Sequence, residues 1–380
     1  MWILFTIIML GIALSVAGVI TVRLTAGTGV AFYARCLIAG AIVLIFMSPF
    51  LLRGPNTPIN GPVHIALTYV AYFLFVCIFL FFCLMIARDI AWIIGKWIFP
   101  SLPSPFQVSA VLKANFGLLI VVVLLSGYAL VEGTRVPRVK ELTLYSDKIQ
   151  EPLTIAVLPD IHIHRALSAK KLEGIIDTTN ALRPDVIALP GDVIDDRADT
   201  IKDLVALLRR FQAPLGIFVT DGNHELYIGT RETRRQFSAT RLVYLNNSAQ
   251  LVRPDVRIAG VPDIQSARFG QPADMKKALP ENSAYTILLA HTPKMFDLPD
   301  NTADLQLSGH THGGQIFPFH FLAKLSNRYL AGLYERDGRH LYVSRGAGQW
   351  GPQMRLFAPS EITFIRVLPT RQALDKASKI

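Results

Sequence analysis

The sequence predicts two unlike parts, an all-α membrane-spanning N-terminal region and an α/β domain, and three observations carry the division. The 380 residues are 51% hydrophobic with a mean hydropathy of +0.38, above the range of a soluble globular chain. Charge is segregated: six Lys or Arg and a single acid, Asp89, precede residue 132, against 32 bases and 27 acids from residue 132 onward. Beyond residue 132 the hydrophobic period changes, and short β-rich runs alternate with helical segments. Each part nets +5, and in the second part the bases are scattered among acids. The net charge of +10 therefore does not point to nucleic acid. Cys36, Cys77 and Cys83 all fall in apolar stretches and the polar part has none, so disulfides are not part of its design.

Residues 1–131 read as a multi-pass transmembrane region. Four charge-free apolar runs stand out: Met1–Val22, Cys36–Leu52, one within Gly54–Ala87, and Ala114–Val131. About 17–25 apolar residues cross a bilayer as a helix, the form that satisfies its own backbone in hydrocarbon. The first run has no basic residue ahead of it and three more follow, which argues against a cleaved secretory signal. Four spans are expected, with three or five the competing counts. Between the third and fourth, Ile90, Ile93, Ile94 and Trp97 recur at helical spacing within Arg88–Pro105, as an interfacial helix or as the tail of the third span. With four spans, Arg53, Arg135, Arg138 and Lys140 share one face, and Arg23, Arg35, Arg88, Lys96 and Lys113 the other. Four bases against five assign no side to the domain.

Residues 132–152, punctuated by Pro137 and Pro152, read as a basic connector. Residues 153–368 read as the α/β domain and 369–380 as a tail. Expected strands are Leu153–Leu158, Val186–Leu189, Gly216–Val219, Arg257–Val261, Tyr285–Leu289, Asp304–Leu307, Leu341–Val343 and Ile362–Val367. One helix is predicted from a Ser168 cap, with Leu172, Ile175, Ile176 and Thr179 as its buried stripe.

Polar clusters follow the strands. The first runs into Pro159-Asp160-Ile161-His162, the second into Gly191-Asp192 with Asp195 beyond, and the third into Gly222-Asn223-His224-Glu225. Later strands deliver His291 and then Gly309-His310-Thr311-His312-Gly313-Gly314. Ligand sites of open α/β sheets gather at the carboxyl ends of strands, so dispersed clusters on that edge converge. Two carboxylates, an amide oxygen and four imidazoles make a hard-to-borderline donor set, enough for two cations. It suits Mn²⁺, Fe or Zn²⁺ and not a thiolate site. Taken alone, each of these side chains has an ordinary reading as a cap or surface residue; the ordered set is what carries the inference.

That set, Asp-x-His, Gly-Asp-x-x-Asp, Gly-Asn-His-Glu, a lone His and Gly-His-Thr-His-Gly-Gly, resembles the signature of the calcineurin-like metallophosphoesterases. Gly309–Gln315, Ser344-Arg345-Gly346 and Pro359–Ile362 resemble its membrane-linked YkuE/YaeI-type branch, over roughly residues 139–368. Pro159 departs from the usual small polar residue, and His164 follows the first motif; neither removes a ligand. The resemblance implies two packed mixed β-sheets flanked by helices. It implies one metal on Asp160, His162, Asp192 and His312 and a second on Asp192, Asn223, His291 and His310, with Asp192 bridging. His224 is the implied proton donor and Asp195 its orienting partner.

The expected activity is hydrolysis of a phosphodiester or pyrophosphate by metal-activated water, with Mn²⁺ the first expectation and Fe or Zn²⁺ next. Candidate substrates are a lipid such as UDP-2,3-diacylglucosamine, a phospholipid, or a small soluble phosphodiester. The alternative is a metal-binding membrane sensor or transport-associated module without turnover. A bilayer is the expected partner, nucleic acid is not, and a multi-pass place in a bacterial inner membrane is expected. Glu225 reads as a supporting residue, while His164, His320 and His340 read as bystanders. Arg328 and Arg345 are candidate phosphate binders. The apolar run Ile316–Leu322 reads first as a buried strand edge or hairpin, with a lipid-dipping loop as the alternative. No Walker loop, His-Glu-x-x-His helix or Gly-x-Ser-x-Gly elbow is present, which removes NTPase, zincin and serine-hydrolase readings.

Overall fold

A computed structural model describes residues 2–52, 61–102, 108–281 and 283–370. The Arg53 loop, residues 103–105 and the part of the expected tail beyond Thr370 lie outside the described residues. The chain divides into two compact units, Met1–Val131 with Gly351–Met354, and Glu132–Trp350 with Arg355–Ile380.

The first unit is built on four helices, α1 (Trp2–Thr25), α2 (Phe32–Leu52), α3 (Pro62–Ile98) and α4 (Val108–Thr134), each long and apolar enough to cross a membrane. Only 22–28% of each apolar window is buried within the protein, so most of that surface is left for lipid. Ala13, Val16, Ile20, Phe46, Met47 and Met85 form the contacts between helices. The Arg88–Ile98 segment continues α3 as one 37-residue helix. That is about 55 Å of rise, well beyond a hydrocarbon core of about 30 Å, so α3 carries a polar end. Asp89 lies buried there, paired with Arg23 of α1 at 2.7 Å and Arg88 at 2.6 Å, while Arg88 also reaches Asn115 of α4. Pairing is what makes a charge tolerable in a low-dielectric setting.

The second unit has two six-stranded mixed sheets. Its strands and helices in chain order are β1 (Arg138–Ser146), β2 (Leu153–Val157), α5 (Ala169–Ala181), β3 (Val186–Pro190), α6 (Ala198–Leu207), β4 (Ile217–Thr220), α7 (Asn223–Ile228), α8 (Thr230–Ser238), β5 (Val243–Tyr244), β6 (Ser248–Arg253), β7 (Val256–Gly260), α9 (Met275–Ala278), β8 (Tyr285–Leu289), β9 (Leu305–Ser308), α10 (His320–Asn327), β10 (Gly332–Arg336), β11 (Arg339–Val343) and β12 (Glu361–Pro369). One sheet has the order β1-β12-β2-β3-β4-β5 and the other β10-β11-β9-β8-β7-β6. The parallel core of each, β2-β3-β4 and β7-β8-β9, presents its carboxyl ends to one edge.

Strand alternation sorts the side chains. Leu153, Ile155 and Val157 of β2 meet Ile287, Leu289, Leu305 and Leu307 in the core between the sheets. Ala156 and Leu158 turn the other way, onto Leu172, Ile175 and Ile176 of α5. Arg138–Ser146, inside the stretch expected as a connector, is a nine-residue edge strand paired in parallel with β12. Its exposed outward positions leave only Leu144 fully buried, which gives little apolar period to read. Ser168 holds the N-cap position of α5 without a side-chain cap bond, and the predicted stripe is buried together with Lys171.

Lys171 is unusual. Its buried Nζ donates to the Gly133 carbonyl at 2.6 Å and to Gln349 Oε1 at 2.8 Å. Burial, then the Arg355 charge, pulls its pKa down to about 7. An unfolded lysine titrates near 10.4, so between these values the unfolded chain binds more protons and stability rises with pH, being lowest below 7. Denaturant unfolding at a series of pH values is expected to show the wild type gaining roughly 2–4 kcal/mol on Lys171→Met from pH 7 to 10. A difference independent of pH would contradict a strained ammonium at this position.

Candidate metal centre

The site is assembled from five strand ends. β2 delivers Asp160 and His162, β3 delivers Asp192, and β4 leads into Asn223 and His224 at the start of α7. From the second sheet, β8 delivers His291 and β9 delivers His310 and His312. The loops interlock through the backbone: Asp160 N donates to Gly191 O, and His162 N to Asp192 O, both at 3.0 Å. Five of the seven candidate ligands, Asp160, His162, Asp192, His310 and His312, have φ between 51° and 71°. Non-glycine residues seldom adopt this left-handed region, and such strain concentrates at functional sites.

The donor atoms fall into two groups. In one, His162 Nε2 and His312 Nε2 lie 3.1 Å apart, with Asp160 Oδ1 3.9 Å from His312 Nε2 and Asp192 Oδ2 3.8 Å from His162 Nε2. In the other, His310 Nδ1 lies 2.9 Å from Asn223 Oδ1 and 3.2 Å from His291 Nε2. His291 Nε2 is in turn 3.2 Å from Asn223 Oδ1 and from Asp192 Oδ2. Asp192 Oδ2 thus borders both groups. Burial holds the His312 imidazole well below its ordinary pKa, helped by the His162 and Arg355 charges. Burial and the His291 charge bring His310 down to about 4. The unprotonated His310 and His312 imidazoles, converging with buried carboxylate and amide oxygens, offer lone pairs that suit a cation. The residues therefore fit a divalent pair.

Glycine makes the packing possible at two places. A Cβ at Gly222 would overlap the Asp192 carboxylate and amide nitrogen, and one at Gly309 would overlap Asp160 Oδ2 and Pro159. Glu225 is wholly buried and accepts four backbone N–H bonds, from Asp192 (2.9 Å), Val193 (2.7 Å), Ile194 (3.0 Å) and Gly222 (2.7 Å). Burial and the neighbouring Asp192 and Asp221 charges raise its pKa to about 8, against the pull of those N–H donors. Glu225 thereby ties the β3 loop to the β4 loop.

His224 stands at the edge of this cluster. Its Nδ1 hydrogen-bonds Asp195 Oδ1, and its Nε2 is 3.9 Å from Asp192 Oδ2. Burial opposes its protonation, but the Asp192 and Asp195 charges prevail and raise its pKa to about 9. The second Asp195 oxygen lies 3.6 Å from His162 Nδ1, so this carboxylate sits between two imidazoles. Tyr227 and Trp350, both half-exposed, flank the His224 ring at 5.5 and 6.3 Å.

Arg355 is the residue that sequence reading passed over. It is the largest fully buried side chain in the protein as described. It donates to His312 O at 2.9 Å, Ala358 O at 3.2 Å and Gly348 O, with Nη2 3.2 Å from His312 Nδ1. Nothing in Met-Arg-Leu-Phe marks it, because its partners are mainly backbone carbonyls, which any residue carries, and the His312 loop is 43 residues away. Arg328 pairs with Asp297 and Arg345 with Glu361, so neither candidate phosphate binder is a bare charge. His164 Nδ1 accepts from Ala166 N at 3.2 Å, and His320 stacks on Phe317. The favoured reading of Ile316–Leu322 is corrected: after Ile316 the chain turns into α10, leaving Phe317, Phe319, Phe321 and Leu322 exposed. Apolar content alone does not distinguish a buried edge from an exposed surface.

Fold and donor geometry make a candidate metal centre, and comparison with known proteins supplies its class. Residues 153–314 match the family model for calcineurin-like phosphoesterases. An uncharacterised metallophosphoesterase of Helicobacter pylori is 37% identical over 248 residues, 64% of this chain and 67% of that one. The transmembrane protein with metallophosphoesterase domain of Danio rerio is 33% identical over 273 residues, 65% of this chain and 61% of its own length. The uncharacterised metallophosphoesterase YkuE of Bacillus subtilis is 33% identical over 231 residues, 57% and 79% of the two chains. The chain belongs to the calcineurin-like phosphoesterase family, and it carries four helices able to span a membrane.

Two substitutions probe the scaffold. Gly222→Ala is expected to lower bound metal, read by elemental analysis, and to cost about 2–3 kcal/mol of stability from the forced displacement of Asp192. Glu225→Gln turns an amide NH₂ toward backbone N–H groups and is expected to cost about 2–3 kcal/mol in the same denaturation assay.

Proposed function

We propose that this chain is a membrane-anchored phosphoesterase that hydrolyses a phosphodiester or pyrophosphate bond, acting on a phosphorylated lipid. The observation that carries the reading is the convergence of two donor groups on Asp192, with a carboxylate-oriented imidazole beside them. Asp160, His162, Asp192 and His312 would hold one cation, and Asp192, Asn223, His291 and His310 the other. Mn²⁺ is the metal we expect first, with Fe and Zn²⁺ compatible with the same oxygen and imidazole donors. When bound, such a pair supplies Lewis acidity toward phosphoryl oxygens and lowers the pKa of water.

The protein's own groups supply the rest. Asp195 accepts from His224 Nδ1 and fixes the ring, leaving Nε2 to carry a proton toward the leaving-group oxygen. The acidic neighbours that raise the His224 pKa keep that proton in place near neutrality. Tyr227 and Trp350 border the same ring and limit how a substrate approaches it. A lipid substrate, such as UDP-2,3-diacylglucosamine or a phospholipid, is supported by the four apolar helices, which keep the enzyme at a bilayer. We place it in a bacterial inner membrane. A soluble phosphodiester is the rival substrate, and a metal-binding sensor without turnover is the rival class.

The test is purification of the full chain in detergent with Mn²⁺, then assay against an aryl phosphodiester and a panel of phosphorylated lipids. Hydrolysis is expected, and its absence across the panel with two metals bound would favour the sensor. His224→Ala is expected to retain metal while turnover falls about 10²–10⁴-fold. Asp192→Ala is expected to lose metal; equal metal loss in both variants would overturn the division of roles.

A further inference from the structure

A surface of apolar side chains lies open directly after the His310–His312 segment. Phe317, Phe319, Phe321, Leu322, Leu325 and Phe357 are between 38% and 85% exposed. Phe317 packs edge-on against Phe357 at 5.8 Å and tilted against Phe321 at 6.1 Å, while His320 stacks on it at 4.9 Å. These rings form one continuous surface. Of the eight residues of α10, only Ala323 is buried, so the helix turns its apolar side chains outward. Contiguous apolar patches larger than a few hundred Å² are uncommon on soluble monomers and mark contact surfaces.

What covers this surface follows from hydrogen bonds inside the same unit. Gly133, in the last turn of α4, accepts from Lys171 Nζ and from Gln349 Nε2. The next residue, Trp350, exchanges two bonds with Gln315. Gln315 Nε2 donates to Trp350 O at 2.7 Å, and Trp350 N donates to Gln315 Oε1 at 3.1 Å. Gln315 in turn leads into Ile316 and the exposed rings, and Phe317 N donates to Leu356 O beside Phe357. The end of α4 and the aromatic surface are therefore two hydrogen-bonded steps apart. The residues of α4 before Gly133 are long and apolar enough to cross a bilayer, so along the chain this unit begins where a candidate membrane span ends.

We propose that Phe317–Leu325 with Phe357 is a bilayer-contacting surface that sits at the boundary of headgroups and acyl chains beside the metal centre. Lys324 stands exposed among the apolar residues of α10, the arrangement in which an interfacial helix buries its rings and offers a cation to anionic headgroups. α10 also begins against the metal motif, since a Cβ at Gly314 would overlap His320. A phosphoester held in the headgroup layer would enter the site along this surface. That last step rests on the lipid reading above; the contact with lipid does not.

The experiment uses the full chain with Cys36, Cys77 and Cys83 changed to Ala, reconstituted in phosphatidylethanolamine–phosphatidylglycerol vesicles. An environment-sensitive fluorophore is placed at Phe321→Cys or Leu325→Cys, with Leu251→Cys, exposed on β6, as the control. Labels at 321 and 325 are expected to emit to the blue, to be quenched by nitroxide lipids and to be shielded from iodide, with the control the reverse. Iodide quenching equal to the control would overturn the proposal. So would shielding that grows with protein density at fixed lipid, which would assign the surface to a second copy of the chain. In a separate arm, Phe317→Ser with Phe321→Ser and Leu325→Ser is expected to lower the ratio of lipid to aryl-phosphodiester kcat/KM about tenfold. Lipid-shielded labels with no hydrolysis of any lipid would refute the lipid-substrate reading and leave the surface standing.

Discussion

Asp192 has to remain an anion in a place with almost no water, and much of the surrounding structure exists to permit it. Its carboxylate is nearly fully buried, and burial alone would favour its neutral form. The His291 and His224 charges reverse this and hold it well below the usual carboxylate range. Its backbone N–H is spent on Glu225, and His224 N donates to its Oδ1 at 2.9 Å. The two donor groups that border Asp192 Oδ2 are where a divalent pair would fit.

The cost of the arrangement is borne by the backbone. Left-handed conformations at five candidate ligands, and glycines where a methyl group would strike Asp192 or Asp160, mean that the loops cannot relax without scattering the donors. Stiffness comes from behind. The two parallel strand cores are packed through Leu153, Ile155, Ile287 and Leu305, and buried Glu225 and Arg355 crosslink loops that are distant in sequence. Arg355 is fixed largely by carbonyl oxygens, so it works as a bolt for the His312 loop while adding positive charge beside Asp160.

In the helical unit the same physics appears in a different solvent. Asp89, Arg23, Arg88 and Asn115 bring three helices together through charge that would be expensive to bury unpaired. The remaining surface is apolar and open, as a lipid-facing surface must be. The exposed rings of α10 in the other unit are likewise apolar and open.

Much of this was legible in the residues themselves. Apolar runs above the length of a bilayer show as composition, because hydrocarbon tolerates little else. Strand ends show as well, because β-rich runs stop at Asp, His and Gly, and the ordered recurrence of those stops marks the donors. Less visible were β1, whose outward residues are charged, and the pairing of Asp89 with Arg23. The same holds for Glu225 as an acceptor of four amides, Arg355, and the outward turn of Phe317–Leu325. Each depends on what a side chain meets across the fold, and a linear pattern encodes which residues can satisfy a partner without saying which partner arrives. The sequence by itself marked the two unlike stretches of composition and the candidate donors, since both follow from local chemistry. Only the tertiary structure decided that the candidate donors gather in two groups around Asp192, and that the aromatic segment beside them faces outward, because both depend on packing between distant segments.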